Sequence, residues 1–276
     1  MKFIYLIRLI KFFKGITFNH KAKDLKKDIV ILHVPQSRVA ASQKRKCVLI
    51  IGMHRSGTSA MSAILQILGL YNKVGIKTAP DNPKGFYEWD RGVEINDKIL
   101  RSMNSAWDDE KCFHTKRCHK KTNKFKNELL RAIEEDFSGQ RCFTIKDPRI
   151  SVFLPLYIEI LESLNVEPLL LIMERPDDEI CLSLSKRNGF SREKSLALCK
   201  KYKTSIHKDI ARYKHIIIQF NDLVSNPVDT TGMIIDRLNL PFTIDSATEK
   251  KILDFIDPEL KHHNILKSTS IRIASG

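Results

Sequence analysis

The sequence predicts an α/β protein of three layers, in which a central parallel sheet of four to five strands is flanked by helices. Two observations carry this. Short, mostly apolar runs alternate with segments of helical periodicity along 276 residues, the pattern of strands buried on both faces and joined by crossover helices. The polar residues of chemical interest also fall just after those runs, where open parallel sheets bind their ligands.

The elements follow in chain order. Residues 1–15, "MKFIYLIRLIKFFKG", are apolar and basic, and Arg8 and Lys11 make the run too short to span a bilayer. On a helix, Phe3, Leu6, Ile7, Ile10 and Phe13 share a face, which permits peripheral contact with a membrane as well as packing on a domain. Residues 19–45 are polar and lysine-rich and read as a linker, so the division is a segment over 1–45 and a catalytic domain over 46–276. Strands are expected at 47–51, 142–146, 169–174 and 215–220. Helices are expected after residue 58 and over 91–104, 122–137, 150–164, 177–188, 192–213 and about 228–238.

Between the first strand and its helix stands "GMHRSGTS", with Gly52, Gly57, Thr58 and Ser59 in the frame of a nucleotide-binding P-loop. Where that motif carries the lysine that reaches a triphosphate, this chain has Thr58, and a cation has moved inside the loop to Arg55. Backbone N–H groups at a helix start favour an anion with or without a lysine. The loop therefore suits an anion other than a triphosphate. After the third strand, "MERPDDEICLSLSKRNGF" sets Arg175 at the strand end, Pro176 at the start of a helix, and Ser183 and Arg187 on one face of that helix. These offer a fork of donors to a second anion.

With both segments in place the chain resembles the sulfotransferases that use 3′-phosphoadenosine 5′-phosphosulfate (PAPS), in particular bacterial members with an "HRSGTS" loop. The resemblance assigns Arg55, Ser56, Gly57, Thr58 and Ser59 to the 5′-phosphosulfate, and Arg175 with Ser183, eight positions on, to the 3′-phosphate. It extends to "FNDLVSNP", where Phe220 replaces the family's tyrosine, and covers roughly residues 46–263. It implies sulfuryl transfer from PAPS to a hydroxyl or amine, with no metal, and a carboxylate or histidine as base. Two carboxylates qualify: Glu88 in "DNPKGFYEWDRG" and Asp147 in "IKDPR", the latter also readable as an Asp-Pro turn paired with Arg149. Arg55 would stand on the leaving-group side and Lys146 would help to neutralise the transferred group. His54 is expected to pack in the core. Trp89 and Trp107 fit either an acceptor wall or ordinary packing.

A formal charge of +15 asks for an anionic partner or a well-solvated surface. The aromatic-basic interleaving of a nucleic-acid binder is missing, so no nucleic acid is expected. The resemblance implies carbohydrate as the leading acceptor class, since the carboxylate-base branch of that family often serves glycans and a positive surface suits anionic polymers, while a lipid or small metabolite would leave the same marks. Six cysteines at 47, 112, 118, 142, 181 and 199 show no framework spacing, which predicts a reducing, cytoplasmic setting, with the inner face of the membrane open to residues 1–15. The compact group Cys112, His114, Cys118 and His119 lacks a C-x-x-C pair, so no metal is expected there. Two other readings stay open. One is a P-loop kinase-like phosphotransferase with Asp147 near a magnesium ion; the other is a non-catalytic nucleotide- or membrane-binding domain.

Overall fold

In the computed structural model, residues 44–74, 84–111, 115–208 and 210–256 are described, all within one unit of the chain. The expected amphipathic segment over 1–15, the linker up to residue 43, the Cys112 to His119 group and the ending after residue 256 lie outside the described residues or side chains.

Four parallel strands form one sheet in the order β2-β1-β3-β4. They are β1 (Arg45–Gly52), β2 (Cys142–Lys146), β3 (Val166–Glu174) and β4 (His215–Gln219). The residues Cys47 to Gly52 and Leu169 to Met173 are buried without a break, as strands covered on both faces require. The chain leaves β1 towards β2 and then returns to β3 on the other side of β1. The carboxyl ends of β1 and β3 therefore flank the point where strand order reverses, the crevice in which such sheets bind ligands.

Each sheet face has its own core. On one face Leu49, Ile51, Ile145, Leu170 and Ile172 pack against α2 (Asp90–Ser102), α3 (Thr115–Phe137) and α4 (Ile150–Ser163). On the other, Val48, Ile50, Leu171, Met173 and Ile218 pack against α1 (Thr58–Ile67), α8 (Pro227–Leu238) and α9 (Ser246–Phe255). A smaller cluster of Met53, Ile180, Leu184, Leu198 and Tyr202 joins α5 (Asp177–Asn188) to α6 (Arg192–His207).

Several boundaries differ from those expected. The helix predicted over 192–213 ends at His207 and a 3₁₀ turn, Ile210–Arg212, follows. α3 starts at Thr115 rather than 122, and α9 was not anticipated. Phe220 does not close β4 but opens the short helix α7 (Phe220–Ser225). Pro176 caps α5 from outside, and Asp177 is its first helical residue. β4 lies at the sheet edge with His215, Ile217 and Gln219 exposed, although its apolar run reads as fully buried.

Candidate active site

The loop after β1 is shaped by two glycines that no other residue could replace in place. A Cβ on Gly52 would lie 2.6 Å from the Met173 carbonyl oxygen, and one on Gly57 would lie 2.3 Å from the Phe220 ring. Gly57 also sits at φ +97° as the residue before α1, a left-handed conformation that glycine adopts without the Cβ penalty. No side chain caps α1, so its first-turn N–H groups face the loop together with the positive end of the helix dipole. Arg55 holds φ +71° without being glycine. Such a conformation persists only where the surroundings enforce it, and here Arg175 Nη1 donates to the Arg55 carbonyl at 3.2 Å.

The two predicted anion cradles meet. Arg55 Nε donates to Ser183 Oγ at 2.8 Å. Arg175 and Ser183 are both buried, 8% and 6% exposed. Arg175 is aimed by Glu179, one turn along α5, through an Nε to Oε2 bond of 2.8 Å, and its guanidinium lies 4.6 Å over the Phe220 ring. The cationic fork thus has a fixed orientation. Ser56 Oγ, inside the loop, is buried with no protein partner.

Beside the end of the loop stands the buried ammonium of Lys146, at the end of β2. A buried charge requires partners, and Lys146 Nζ donates to Glu88 Oε1 at 2.8 Å, the Phe86 carbonyl at 3.0 Å and Ser59 Oγ at 3.2 Å. Predicted residues from three separate segments, Ser59, Glu88 and Lys146, therefore touch. Glu88 follows Tyr87, whose φ of +53° is a second left-handed non-glycine; Ser62 of α1 donates to the Tyr87 carbonyl at 3.2 Å and fixes that bend.

Asp147 is placed differently. Its Oδ1 accepts from the Arg149 backbone N–H and from Arg149 Nη1, both at 2.9 Å, and its Oδ2 accepts from Asn96 at 2.9 Å. It is 1% exposed. This is the Asp-Pro turn paired with Arg149. Burial would lower the Arg149 pKa, but the carboxylates of Asp147, Asp97 and Glu88 together raise it. The Tyr157 phenol, which accepts from Asn96 at 2.9 Å, is pushed up by burial and then by Asp147.

His54 packs, as expected, against two aromatic rings. Its ring lies 4.4 Å from that of Trp107 and 5.7 Å from that of Tyr202. Burial holds it well below the usual histidine range, and Arg149, Lys146, Arg187 and Arg55 push it the same way. Trp89 is buried in the core with Nε1 donating to Asp136 at 2.7 Å. Three contributors escaped sequence reasoning: Asn96 and Asp97 of α2, and the ring of Phe220 beneath Arg175. Only the replacement of a family tyrosine by Phe220 gave any local signal.

No family model matches this chain, and no curated protein matches its sequence. Distant likenesses exist among solved structures. The sulfotransferase domain of the Synechococcus PCC 7002 olefin synthase is 16% identical with a TM-score of 0.49, over 86% of this chain and 92% of that one. A sulfotransferase from Mycobacterium tuberculosis H37Rv is 13% identical with a TM-score of 0.48, over 76% and 71%. Retinol dehydratase, solved with androsterone and the inactive cofactor PAP, is 13% identical with a TM-score of 0.38, over 76% and 64%. At that distance the chemistry rests on the site itself.

Proposed function

We propose that this chain is a sulfotransferase that moves the sulfuryl group of PAPS to a hydroxyl or amine of an acceptor, with carbohydrate as the acceptor class. The observation that carries the reading is the junction of two arginine cradles at the switch point of the sheet, facing a lysine-glutamate pair. The residues fit the co-substrate. Gly52 and Gly57 let the loop close tightly against β3 and the Phe220 ring, where a Cβ would clash, Ser56 Oγ is a buried hydroxyl without a protein partner, and two fixed guanidiniums suit two anionic groups. Thr58 in place of a lysine suits a cradle that holds no triphosphate.

PAPS, when bound, supplies an activated sulfuryl group. Arg55 and the α1 amides would hold its 5′ end, and Arg175 with Ser183 the 3′-phosphate. Lys146 neutralises charge next to Ser59, a form of electrostatic stabilisation that works best in a site closed to water. Glu88, 17% exposed at its side chain, keeps a route to solvent and takes the proton of the acceptor hydroxyl. Asp147, with both oxygens engaged, acts by holding Arg149. The same engagement weighs against a phosphotransferase in which Asp147 binds magnesium, and the Glu88–Lys146 pair favours an enzyme over a binding-only domain.

Transfer of label from ³⁵S-PAPS to a panel of glycans, lipids and small hydroxyl compounds tests this directly. Labelled product is expected with a glycan. Tight, magnesium-dependent ATP binding without affinity for adenosine 3′,5′-bisphosphate would overturn the reading.

A further inference from the structure

We infer that Arg149 is a positioning residue for Glu88, held in place by the helix that Glu88 itself precedes. The inference rests on Glu88 being the base of the proposed reaction. Glu88 lies two residues before α2, and α2 returns Asp97 to Arg149, whose Nε is 2.8 Å from Asp97 Oδ1 as an ion pair without hydrogen-bond alignment. Arg149 Nη1 is 2.9 Å from Asp147 Oδ1 and 3.8 Å from Glu88 Oε2. Glu88, α2, Asp97 and Arg149 therefore close a ring. The other Glu88 oxygen meets Lys146 at 2.8 Å, so each oxygen faces its own cation.

The neighbours make this more than a surface pair. The Arg149 side chain is 11% exposed and that of Asp147 2%, and Asn96 fixes the second Asp147 oxygen. Arg149 cannot turn away without leaving the buried Asp147 carboxylate with only the neutral donors of Asn96 and the Arg149 backbone N–H and no cation, which is costly. Its guanidinium is thus a rigid stop on the Oε2 side of Glu88, as the buried Lys146 is on the Oε1 side. Rigid placement of a base matters because misplacement of about 1 Å can cost about 10²-fold in rate.

The test has two arms. In turnover with PAPS, Arg149→Gln is expected to lower kcat about 10- to 100-fold with KM for PAPS within about threefold, Arg149→Lys to recover part of it, and Arg149→Gln to cost nothing further in a Glu88→Gln background. Asp97→Asn, a milder change at a side chain 33% exposed, should give a smaller loss of the same kind and keeps the test open if Arg149→Gln does not fold. An equal kcat loss in the wild-type and Glu88→Gln backgrounds overturns the inference. The second arm needs no activity: the Tm losses of Asp97→Asn and Glu88→Gln should fail to add in the double variant. Additive losses overturn the ring. Non-additive losses in a protein that turns over no PAPS leave the ring standing and overturn the proposed function instead.

Discussion

Arg55 and Ser183, 128 positions apart in the chain, share a hydrogen bond of 2.8 Å from Nε to Oγ. The bond ties the loop after β1 to the middle of α5, so the two proposed anion cradles form one continuous surface. Arg175 reinforces the tie through the Arg55 carbonyl. A ligand that engages one cradle therefore feels changes in the other. Arg175→Ala should weaken adenosine 3′,5′-bisphosphate binding roughly 10- to 150-fold, the value of a charged hydrogen bond of about 1.5–3 kcal/mol. Ser183→Ala should weaken it in the same direction while its effect on turnover at saturating PAPS stays smaller. Calorimetric titration reads both, and an unchanged affinity in Arg175→Ala would remove the second cradle from the site.

The same ligand should raise the melting temperature without magnesium, whereas ATP should do so poorly, because Thr58 stands where a triphosphate-binding lysine would be. A thermal-shift series over ligand concentration, with and without chelator, checks this. Equal shifts from ATP with magnesium would count against the assignment of the loop.

The two carboxylates separate by their partners. Glu88→Gln keeps an oxygen able to accept from Lys146, so fold and cofactor binding should persist while turnover falls roughly 10²- to 10⁴-fold. Asp147→Asn places an NH₂ against the donors of Asn96 or Arg149 and leaves Arg149 with less compensating charge. Its first effect should be a stability loss of about 1–3 kcal/mol. If Asp147→Asn abolishes turnover with fold and binding intact while Glu88→Gln stays near normal, Asp147 is the base.

These assignments mark how far the sequence could be read. The inner strands were legible because burial on both faces writes an unbroken apolar run, as in Leu169 to Met173, β4 because its short run is apolar although alternate residues are exposed, and most helices because their apolar residues recur at helical spacing. Arg55, Arg175 and Ser183 were legible because motif spacing is local. Their meeting was not, since it depends on how β1 and β3 pair. Asn96 and Asp97 were illegible for the same reason: two polar residues in a helix look alike whether they meet solvent or, as here, the buried Asp147 and Arg149. Phe220 was misassigned to β4 because its apolar character continues the strand pattern, while the strand pairing stops at Gln219.

His54 predicts a dependence on pH. Burial and four nearby cations lower its pKa in the fold, so between the unfolded value of about 6.5 and the lower folded value the unfolded chain binds a proton that the fold excludes. Its contribution to stability is present above about pH 6.5 and is lost as pH falls below that, by at most about 1.4 kcal/mol per pH unit for one proton. His54→Phe keeps a ring against Trp107 and Tyr202 and removes the titration. Denaturant melts at pH 7.5, 6.5 and 5.5 should show a shallower decline in the variant; parallel declines would mean that His54 does not titrate on unfolding.

Gly92 offers the sharpest test of how Glu88 is placed. It lies on the first turn of α2, where a Cβ would approach the Trp89 ring to 2.3 Å, closer than carbon atoms pack. Trp89 is 2% exposed, held by Asp136 at Nε1 and stacked edge-on to Phe137 at 5.4 Å, so the ring has no room to yield. Gly92→Ala would ordinarily stabilise a helix by about 0.5–1 kcal/mol. Overpacking of about 1–3 kcal/mol should outweigh that gain, and Tm should fall by roughly 2–8 °C. Glu88 is the residue before Trp89, so a displaced tryptophan carries the carboxylate away from Lys146 and turnover should drop more than about tenfold, while Arg55, Ser183 and Arg175, which lie on other elements, keep their affinity for adenosine 3′,5′-bisphosphate. A variant that is more stable than the parent and fully active would show that Trp89 does not set the position of Glu88.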